Sequence, residues 1–368
     1  HDARLLCHRA ELTLEQLLGW AQSECSAEDL FVLEAGSNSF ELHHRLLALG
    51  RRAIVLESAH VGKHAKRYVD NDKLAAARIV RVYLAGDAPC VWVPDPTTRE
   101  RRELLHAYGK AVEDCTAASN SLKSYLNGFT IRLGQRKCTV KKTQGWILTQ
   151  RPWSELQRRL LEDSFANCEF HEQRRKELCR LISRQVASDP LMLSCMKLLG
   201  IGVINAFALV AIIGDVRRFE HAGKLVAYVG LNPGQRTSGR SKRVKLGVGK
   251  RGRGDLRRLL IQGAQAVMRH GRGSKLSRWG WKLFARKGKR NVAVAAVARK
   301  LVVQVWYLLS GKAPEGIDSE KQLRTKLGKL TVNLGKSLRQ EMGLPATIAA
   351  CIDYFRELLN PVRRTTTA

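Results

Sequence analysis

The sequence predicts an α/β layer at the N-terminus, a coiled-coil middle segment and a mainly helical C-terminal part. In residues 1–94, short apolar runs alternate with helical patterns, and residues 95–190 hold two long amphipathic segments. Residues 191–312 combine glycine turns with apolar and basic helices, and a basic helical extension follows at 313–368. A chain of 368 residues is long enough for several domains with cores of their own.

Strand and helix patterns alternate in the N-terminal segment. Continuous apolar runs predict strands at Ala3–Cys7, Leu30–Leu33 and Ala53–Leu56. Helical spacing of apolar residues predicts helices at Leu14–Ala21, Phe40–Leu49 and Leu74–Leu84. This alternation is typical of an α/β layer with a partly parallel sheet, and Pro94-Asp95-Pro96 marks its end.

Apolar residues in the next segment recur at alternating spacings of three and four, as in a coiled-coil seam. The seam positions are Leu105, Tyr108, Val112, Cys115, Ser119, Leu122, Leu126 and Phe129. A polar stretch from Thr130 to Pro152, which we expect to be a flexible link, precedes a second helical region from Trp153 to about Val186. The two helices form either an antiparallel coiled coil, as a spacer or dimerisation arm, or an ordinary hairpin packed on its own domain.

Positive charge greatly exceeds negative charge: 64 Lys and Arg accompany 33 Asp and Glu, a formal net charge of +31. Because like charges repel and destabilise a compact fold, this excess indicates a polyanionic partner, with nucleic acid as the first choice. An anionic membrane surface and a merely solvated basic surface are the alternatives. No apolar run reaches the roughly 18 residues that span a bilayer.

The nine cysteines are scattered singly, and none forms a C-x-x-C motif. An odd number without paired spacing argues against a zinc site and against a disulfide framework. It is typical of a reducing compartment, so we expect a cytoplasmic protein whose cysteines are mostly small core residues.

The charge excess is concentrated between Arg236 and Arg290, where 19 Lys or Arg accompany a single acid, Asp255. Glycines alternate with the bases around residues 247–254. Glycine lets the backbone approach a phosphate closely, and the basic side chains neutralise it. Asp255 stands where an N-cap belongs, before a predicted helix at Leu256–Met268. The residues predicted to bind nucleic acid are Arg236, Arg240, Lys242, Arg243, Lys245, Lys250, Arg251, Arg253, Arg257 and Arg258.

Two further features have both a nucleic-acid and a packing interpretation. Leu198–Gly214 reads as a Gly-x-Gly turn leading into an apolar helix. Such a turn either meets a phosphate with its backbone N–H groups, as in a helix-hairpin-helix, or simply precedes a buried helix. Trp279, Trp281 and Phe284 lie among basic residues, and they either stack on exposed bases or pack in the core.

Ser238 is the candidate nucleophile of the basic block. It lies in Thr237-Ser238-Gly239, flanked by Arg236 and Arg240. A serine that attacks a phosphodiester needs neighbouring cations to bind the phosphate and to stabilise charge in the transition state. The same surroundings suit a serine that only contacts a phosphate, and residue chemistry alone leaves both roles open.

Two segments of this block carry a specific motif, GLNPGQRTSG at 230–239 and VGKRGRGDLRRLLIQGA at 248–264. Together with the preceding glycine turn and helix, they resemble the C-terminal transposase domain of the serine-bearing DEDD transposases over about residues 197–312. These insertion-sequence recombinases are related to the Piv DNA invertases and include members guided by a bridge RNA.

The resemblance implies that residues 1–94 form an RNase H-like (RuvC-like) domain whose four acids bind Mg²⁺. The FVLEAG segment places the second acid at Glu34, and Asp72 matches the third. Ala75 stands at the position of the fourth acid, so this copy is expected to bind metal weakly or to be inactive. A deliberate Asp→Ala change and natural decay both account for Ala75. The first acid belongs on a strand before Ala3, which we expect to lie upstream of His1.

The resemblance also implies a mechanism and partners. Ser238 would attack DNA and form a phosphoserine link, and the coiled coil would build a homo-oligomer, either a dimer or a tetramer. A structured bridge RNA would pair with target and donor DNA, with extra contacts from the basic tail Lys321–Arg364. We expect a nucleoid-associated bacterial protein with no membrane partner. A metal-only RNase H-like nuclease or resolvase and a non-enzymatic nucleic-acid-binding protein are the alternative functions.

Overall fold

A computed structural model describes residue 9 and residues 11–63, 71–236, 244–249, 252–271, 273–314 and 319–359. Residues 235–236 and 244–247 are described by their backbone only. The chain divides into two compact units, His1–Thr97 and Thr98–Ala368. The division lies next to the predicted boundary at Pro94–Pro96.

The first unit is an α/β layer built on a parallel pair of strands. Its strands are β1 (Leu30–Glu34) and β2 (Arg52–Leu56), and its helices are α1 (Leu14–Ser23), α2 (Ser39–Ala48), α3 (Ser58–Lys63) and α4 (Asp72–Leu84). The strands run parallel, with Glu34 opposite Leu56, and α2 makes the crossover that a parallel pair requires. The described strands and helices confirm those predicted. The strand predicted at Ala3–Cys7 lies outside the described residues, and the RNase H-like character of this unit stays a prediction.

Helices cover both faces of this sheet. Phe31 and Ala53 pack with α1 and α2 on one face, and Val32 and Ile54 pack with α3 and α4 on the other. Successive residues of a strand point to opposite faces, so a strand covered on both sides is apolar throughout. This explains why the strands appear in the sequence as continuous apolar runs rather than as an alternating pattern.

Two long helices open the second unit and run antiparallel. They are α5 (Pro96–Asn127) and α7 (Glu155–Ser188), with α6 (Lys141–Thr149) between them. At one end, Arg101 Nη2 lies 2.9 Å from Asp189 Oδ2, just beyond α7. At the other end, Leu126 of α5 shares a buried cluster with Leu161 of α7. The antiparallel pairing is therefore as predicted, and its use as a dimerisation arm stays a prediction.

The expectation of a flexible link between these helices is wrong. Residues 130–152 contain α6 and bury Leu133, Cys138 and Ile147 against the two long helices. The Trp153 indole N–H donates to the carbonyl oxygen of Ile147 at 3.1 Å. The few apolar residues of this stretch are too widely spaced to show a period, so only the packed structure reveals the cap that they form.

The buried stripe of α5 also differs from the predicted seam at two positions. Ala111 and Ala118 are buried, whereas Val112 is 36% exposed and Ser119 is half-buried. Leu122 and Leu126 are buried as predicted. The helix thus turns its small alanines toward its neighbours, because a small side chain allows closer packing than the β-branched residue beside it.

A single hydrophobic core joins the rest of the second unit. Its further helices are α8 (Pro190–Cys195), α9 (Val203–Ile213), α10 (Ala222–Val229), α11 (Gly254–His270), α12 (Lys275–Lys287), α13 (Arg290–Leu309), α14 (Glu320–Glu341) and α15 (Ile348–Leu359). Nine of the 11 residues of α9 are buried, so this helix lies at the centre, as a helix that is apolar all round should. The segments predicted at 95–190, 191–312 and 313–368 all contribute to this core.

The glycine turn before α9 is a point of close backbone approach. Gly200 has φ +70°, and a Cβ built there would lie 2.4 Å from the carbonyl oxygen of Gly263 in α11. Asn205 Nδ2 also donates to the carbonyl oxygen of Leu259 in α11 at 3.3 Å. The turn therefore sets the distance between α9 and α11. Whether its N–H groups also meet a phosphate stays a prediction.

Among the described residues, α13 is long and apolar enough, by length and composition, to cross a membrane. Arg299 and Lys300 interrupt its apolar residues, which is why no continuous apolar run marks it in the sequence. A core helix of a soluble protein meets the same criterion. Seven of its side chains, including Val297 and Leu301, lie in the core of the second unit.

Candidate nucleic-acid interface

A β-hairpin precedes α11, and the candidate nucleophile Ser238 lies in the sequence between its two strands. Its strands are β3 (Pro233–Arg236) and β4 (Val244–Val248), which pair antiparallel with Arg236 opposite Val244. The seven residues between them, 237–243, lie outside the described residues and include Ser238, Arg240, Lys242 and Arg243. The structure thus describes the two strands that precede and follow the segment containing Ser238.

Backbone contacts hold the two ends of this hairpin together. The helix α10 ends at Gly230, which has φ +78°. Gly252 follows the second strand with φ +86°, and a Cβ there would lie 2.7 Å from both Gly230 N and Tyr228 O. The Arg253 N–H donates to Tyr228 O at 2.9 Å. Only glycine fits at position 252, because both its φ and the nearby backbone exclude a side chain.

Asp255 does not cap α11, contrary to the prediction, because the helix begins at Gly254 with Arg253 as the N-cap residue. Instead, Asp255 binds Arg253 in a bidentate pair, with Nη2–Oδ2 2.6 Å and Nε–Oδ1 3.1 Å. Burial opposes ionisation of this carboxyl, but Arg253 and the Leu256 N–H outweigh burial, so the pKa of Asp255 lies below its ordinary value. Arg253, which the sequence predicts to bind nucleic acid, therefore already forms an ion pair with Asp255 within the protein.

A second cluster of cations, Arg102 and Arg218, lies at the C-terminal end of α9. Arg102 of α5 donates through Nε and Nη2 to two of the last three carbonyls of α9, at 3.0 and 2.8 Å. Arg218 donates to the third at 3.1 Å and stacks on the Tyr228 ring, 4.5 Å from its centroid. Cations suit the negative end of a helix dipole. The sequence gives no signal for Arg102, since its partners lie more than 100 positions along the chain.

The first turn of α11 carries the other described basic residues of the prediction. Arg257 Nη1 lies 3.4 Å from Val229 O and 3.3 Å from Gly230 O, at the base of the hairpin. Arg258 is exposed, and its Nη1 lies 3.6 Å from Glu113 Oε1. An exposed pair of this kind contributes little to stability, about 0–1 kcal/mol, so the Arg258 guanidinium is available to a phosphate at small cost.

An open cleft of about 460 Å³ runs between the hairpin and α11. Its lining includes Leu231, Val248, Arg257, Arg258, Gln262 and Gln265. Arg258, Gln262, Gln265 and Arg269 are all exposed and recur at spacings of four, three and four, so they form one stripe of the helix. Guanidinium and amide groups are the side chains that bind phosphates and base edges. The same spacing in the sequence would have indicated Gln262 and Gln265, which the prediction omitted.

The structure neither supports nor contradicts the remaining basic positions of the prediction. Arg236 and Lys245 lie in the hairpin strands, where only the backbone is described. Lys250 and Arg251, like Arg240, Lys242 and Arg243, lie outside the described residues.

The predicted acid site belongs to the first unit. Glu34 is the last residue of β1, and Asp72 is the first residue of α4, after an N-cap in which Asn71 accepts from the Leu74 N–H. Ala75 is half-buried and shares a face of α4 with Ile79 and Val82, since these residues are spaced by four and three. Ile79 and Val82 pack against the sheet. A carboxylate at position 75 would therefore lie on the face of α4 that is turned toward the sheet.

The acids present do not amount to a complete metal site. Within the described part of the chain, no group of three or more His, Cys, Asp and Glu side chains could hold a metal ion. Glu34 and Asp72 are two carboxylates, and the position of the fourth acid is Ala75. Mg²⁺ prefers octahedral oxygen coordination, so a site short of carboxylates binds it weakly.

Comparison with known proteins finds a family match within the second unit. Residues 194–278 match the model of the Transposase IS116/IS110/IS902 family. The matched range contains α9, α10, the hairpin and α11. This part of the chain is therefore similar to the transposases of that family. Three glycines of the matched range, Gly200, Gly230 and Gly252, hold α9 and the hairpin against α11.

Similarity to transposases extends beyond residues 194–278. A putative transposase y4qE of Sinorhizobium fredii is 24% identical over 303 residues, 75% of this chain and 74% of that protein. A probable family 20 transposase of Pseudomonas aeruginosa is 29% identical over 294 residues, 76% of this chain and 84% of that protein. The transposase for insertion sequence element IS1111A of Coxiella burnetii is 41% identical over 113 residues, 30% of each chain.

Proposed function

We propose that this protein acts on DNA as the transposase of an insertion sequence, cutting and rejoining strands. The observation that carries the proposal is the family match at residues 194–278, which encloses the serine hairpin and all ten predicted nucleic-acid-binding residues. Relatives whose similarity covers about three-quarters of the chain carry the name transposase. The basic charge of the block supports DNA as the substrate.

In this proposal Ser238 is the nucleophile. Its Oγ attacks a DNA phosphorus, the serine proton is lost, and the bond from phosphorus to one DNA oxygen breaks. The product is a phosphoserine ester and a free DNA hydroxyl. A second DNA hydroxyl then attacks the ester, which joins the new strands and restores the serine. Arg236 and Arg240 flank Ser238 in the sequence, and cations there would stabilise the charge that develops on the phosphate oxygens.

The acid site completes the proposal. Glu34 and Asp72, together with acids at the first and fourth positions, would hold Mg²⁺ beside the scissile phosphate, where the ion polarises the phosphate oxygens. The present chain has Ala75 at the fourth position. We therefore expect it to bind DNA and to cleave DNA slowly or not at all.

Replacing Ala75 with aspartate tests this function. The Asp side chain would stand in the first turn of α4, where the helix dipole favours a negative charge, so the fold should tolerate it. We expect Mg²⁺-dependent cleavage of element-end DNA to rise at least about 100-fold, since even outer-shell partners of a metal site change affinity or activity by about 10- to 100-fold. The measurement is cleavage of labelled DNA with Mg²⁺ and with a chelator.

The controls define what this measurement decides. Ala75→Asn has nearly the same size but no charge, and it should restore much less cleavage. If Ala75→Asp leaves the protein inactive while DNA binding persists, the protein is a non-enzymatic nucleic-acid-binding protein.

We further propose that a structured bridge RNA from the same element guides the protein to its sites. The support is the resemblance of the motif at 230–264 and the basic charge that continues into α14. Protein groups would then bind mainly backbone and shape, while base pairing selects the sequence. We expect a short non-coding RNA to copurify with the protein. DNA binding and recombination that persist after RNase treatment would rule out this guidance.

The antiparallel helices α5 and α7 are the proposed oligomerisation element. Recombination needs several strand cuts in one complex, and a dimer or tetramer supplies several copies of the serine. Exposed apolar side chains along α7, among them Leu156 and Phe170 at 69% and 61% exposure, support a partner on this helix.

A further inference from the structure

The segment after the serine hairpin is rich in positive charge. Between Leu256 and Pro314 the sequence has 14 Lys or Arg and no Asp or Glu. This range covers most of α11 and all of α12 and α13. Its cations attract a polyanion, and Arg258 among them also pairs with Glu113 of α5. The partner of this basic segment, if the proposed function holds, is a nucleic acid.

The orientation of α12 is set by a glycine that faces the core. A Cβ on Gly280 would lie 2.7 Å from Val297 Cγ2 of α13, so α12 packs closely on its neighbours at this point. Neighbouring positions of a helix differ by about 100° in direction, so Trp279 and Trp281 point to opposite flanks of this contact. The two tryptophans therefore have different surroundings, although they are nearly adjacent in the sequence.

Trp281 is anchored within the protein. Its indole N–H donates to the carbonyl oxygen of Met268 at 2.9 Å, which ties α12 to α11. Its ring also meets the Phe284 ring edge-on, with centroids 5.7 Å apart. Phe284 is half-buried against the core. Phe284 therefore follows the packing interpretation of the sequence. Trp281 is 41% exposed, and what distinguishes it from Trp279 is its hydrogen bond to Met268 and its contact with the Phe284 ring.

Trp279 lies among cations instead. It is 36% exposed, and Lys300 Nζ of α13 lies 4.6 Å from its ring centroid. Lys275, Lys282 and Arg286 are exposed and lie on the same side of α12, at spacings of four, three and four with Trp279 among them. The Trp279 indole therefore has basic residues on both sides along α12 and Lys300 of α13 next to its ring.

We propose that Trp279 is a stacking platform for an unpaired nucleobase, with Lys275, Lys282, Arg286 and Lys300 binding the phosphates on either side. A base within a duplex hides its faces, so the ligand is single-stranded DNA, single-stranded RNA or a base displaced from a helix. Stacking on an aromatic ring accepts any base, whereas the cations follow the backbone. The surface therefore holds unpaired strand without selecting its sequence.

The test compares two probes that carry the same phosphates. One is an oligothymidine of about 12 nucleotides, a length within the span of single-strand binding sites, and the other is an abasic strand of equal length. Affinities of the full chain are measured by fluorescence anisotropy. We expect Trp279→Leu to weaken binding of oligothymidine by roughly 5- to 150-fold and to leave binding of the abasic strand unchanged. Trp279→Tyr should retain most of the preference for the strand with bases.

Two control variants separate stacking from charge and from folding. Lys282→Ala should weaken both probes alike and lower the slope of log Kd against log salt by about 0.7. Trp281→Leu should lower the melting temperature, through loss of the Met268 contact, whereas Trp279→Leu should not. Equal affinities of Trp279→Leu and the parent chain for oligothymidine would overturn the stacking role. So would equal weakening of both probes.

The outcome also distinguishes this proposal from the proposed function on which it rests. A chain that binds duplex DNA but shows no difference between the two single-stranded probes would refute the stacking platform alone. A chain that binds none of these nucleic acids would refute both. Quenching of tryptophan fluorescence by oligothymidine, lost in Trp279→Leu and kept in Trp281→Phe, gives a second measurement that supports the platform directly.

Discussion

Replacing Ser238 with alanine is expected to abolish the covalent link between the protein and DNA. In an Ala75→Asp background, incubation with element-end DNA, candidate RNA and Mg²⁺ should give a protein–DNA adduct on a denaturing gel. Ser238→Ala removes the oxygen that forms the ester, so the adduct should vanish and strand exchange should fall by on the order of 10⁴-fold or more. A chelator should also prevent the adduct, because the acid site then lacks its ion.

The chain provides a matched control for this experiment. Ser241 lies three residues further on in the same segment and is likewise flanked by basic residues, Arg240 and Lys242. Ser241→Ala should keep the adduct. Strand cleavage without any adduct would identify a metal-only nuclease, in which Ser238 merely binds phosphate. An adduct that survives Ser238→Ala would assign the nucleophile to another residue.

Replacing Gly200 with alanine is expected to cause a large loss of stability in the second unit. Its φ of +70° is costly for any residue with a Cβ, by about 1–2 kcal/mol. The new Cβ would also lie 2.4 Å from the carbonyl oxygen of Gly263 and 2.8 Å from Val267 Cγ2, so α9 and α11 must separate. Overpacking of this kind costs a further 1–3 kcal/mol or so, which gives a total of about 2–5 kcal/mol.

Urea denaturation followed by tryptophan fluorescence measures this loss, because five of the seven tryptophans lie in the second unit, at Trp146, Trp153, Trp279, Trp281 and Trp306. Gly202→Ala is the control. Gly202 has φ −100°, and a Cβ there would meet nothing within 4 Å. Alanine is a poor N-cap, so this change should cost about 1 kcal/mol or less. Equal denaturation midpoints for the two variants would show that the close approach of α9 and α11 is unimportant.

Much of the local structure could be predicted from the sequence. The two described strands of the first unit, its helices α1, α2 and α4, and the helix α7 lie within a few residues of their predicted positions, whereas α5 begins nine residues before the predicted seam. These elements depend on the spacing of apolar residues and on nearby capping and breaking residues, which are local properties of the chain. One error of prediction is also local in origin: the N-cap predicted at Asp255 was off by two residues, and Asp255 pairs with Arg253 instead.

The candidate site was predicted in part. The sequence indicates Ser238, the basic block and the acids at Glu34 and Asp72 by residue type and by resemblance, and these assignments stay proposals. It does not indicate Arg102, which reaches α9 from a helix about 110 positions away. It also treats Trp279 and Trp281 alike. The two differ because Gly280 between them faces α13. Trp279 then lies on the side of the cations, and Trp281 lies where it binds Met268.

The sequence by itself determined the order of the elements, the concentration of positive charge after the hairpin, and the glycines where the backbone must turn. Tertiary structure alone decided which face of each helix is buried, that residues 130–152 form a packed cap, and that Gly200 touches Gly263. The physical reason is that periodicity and charge are properties of neighbouring residues. The choice between two faces of a helix depends on the shape of partners far along the chain, and packing at close range settles it.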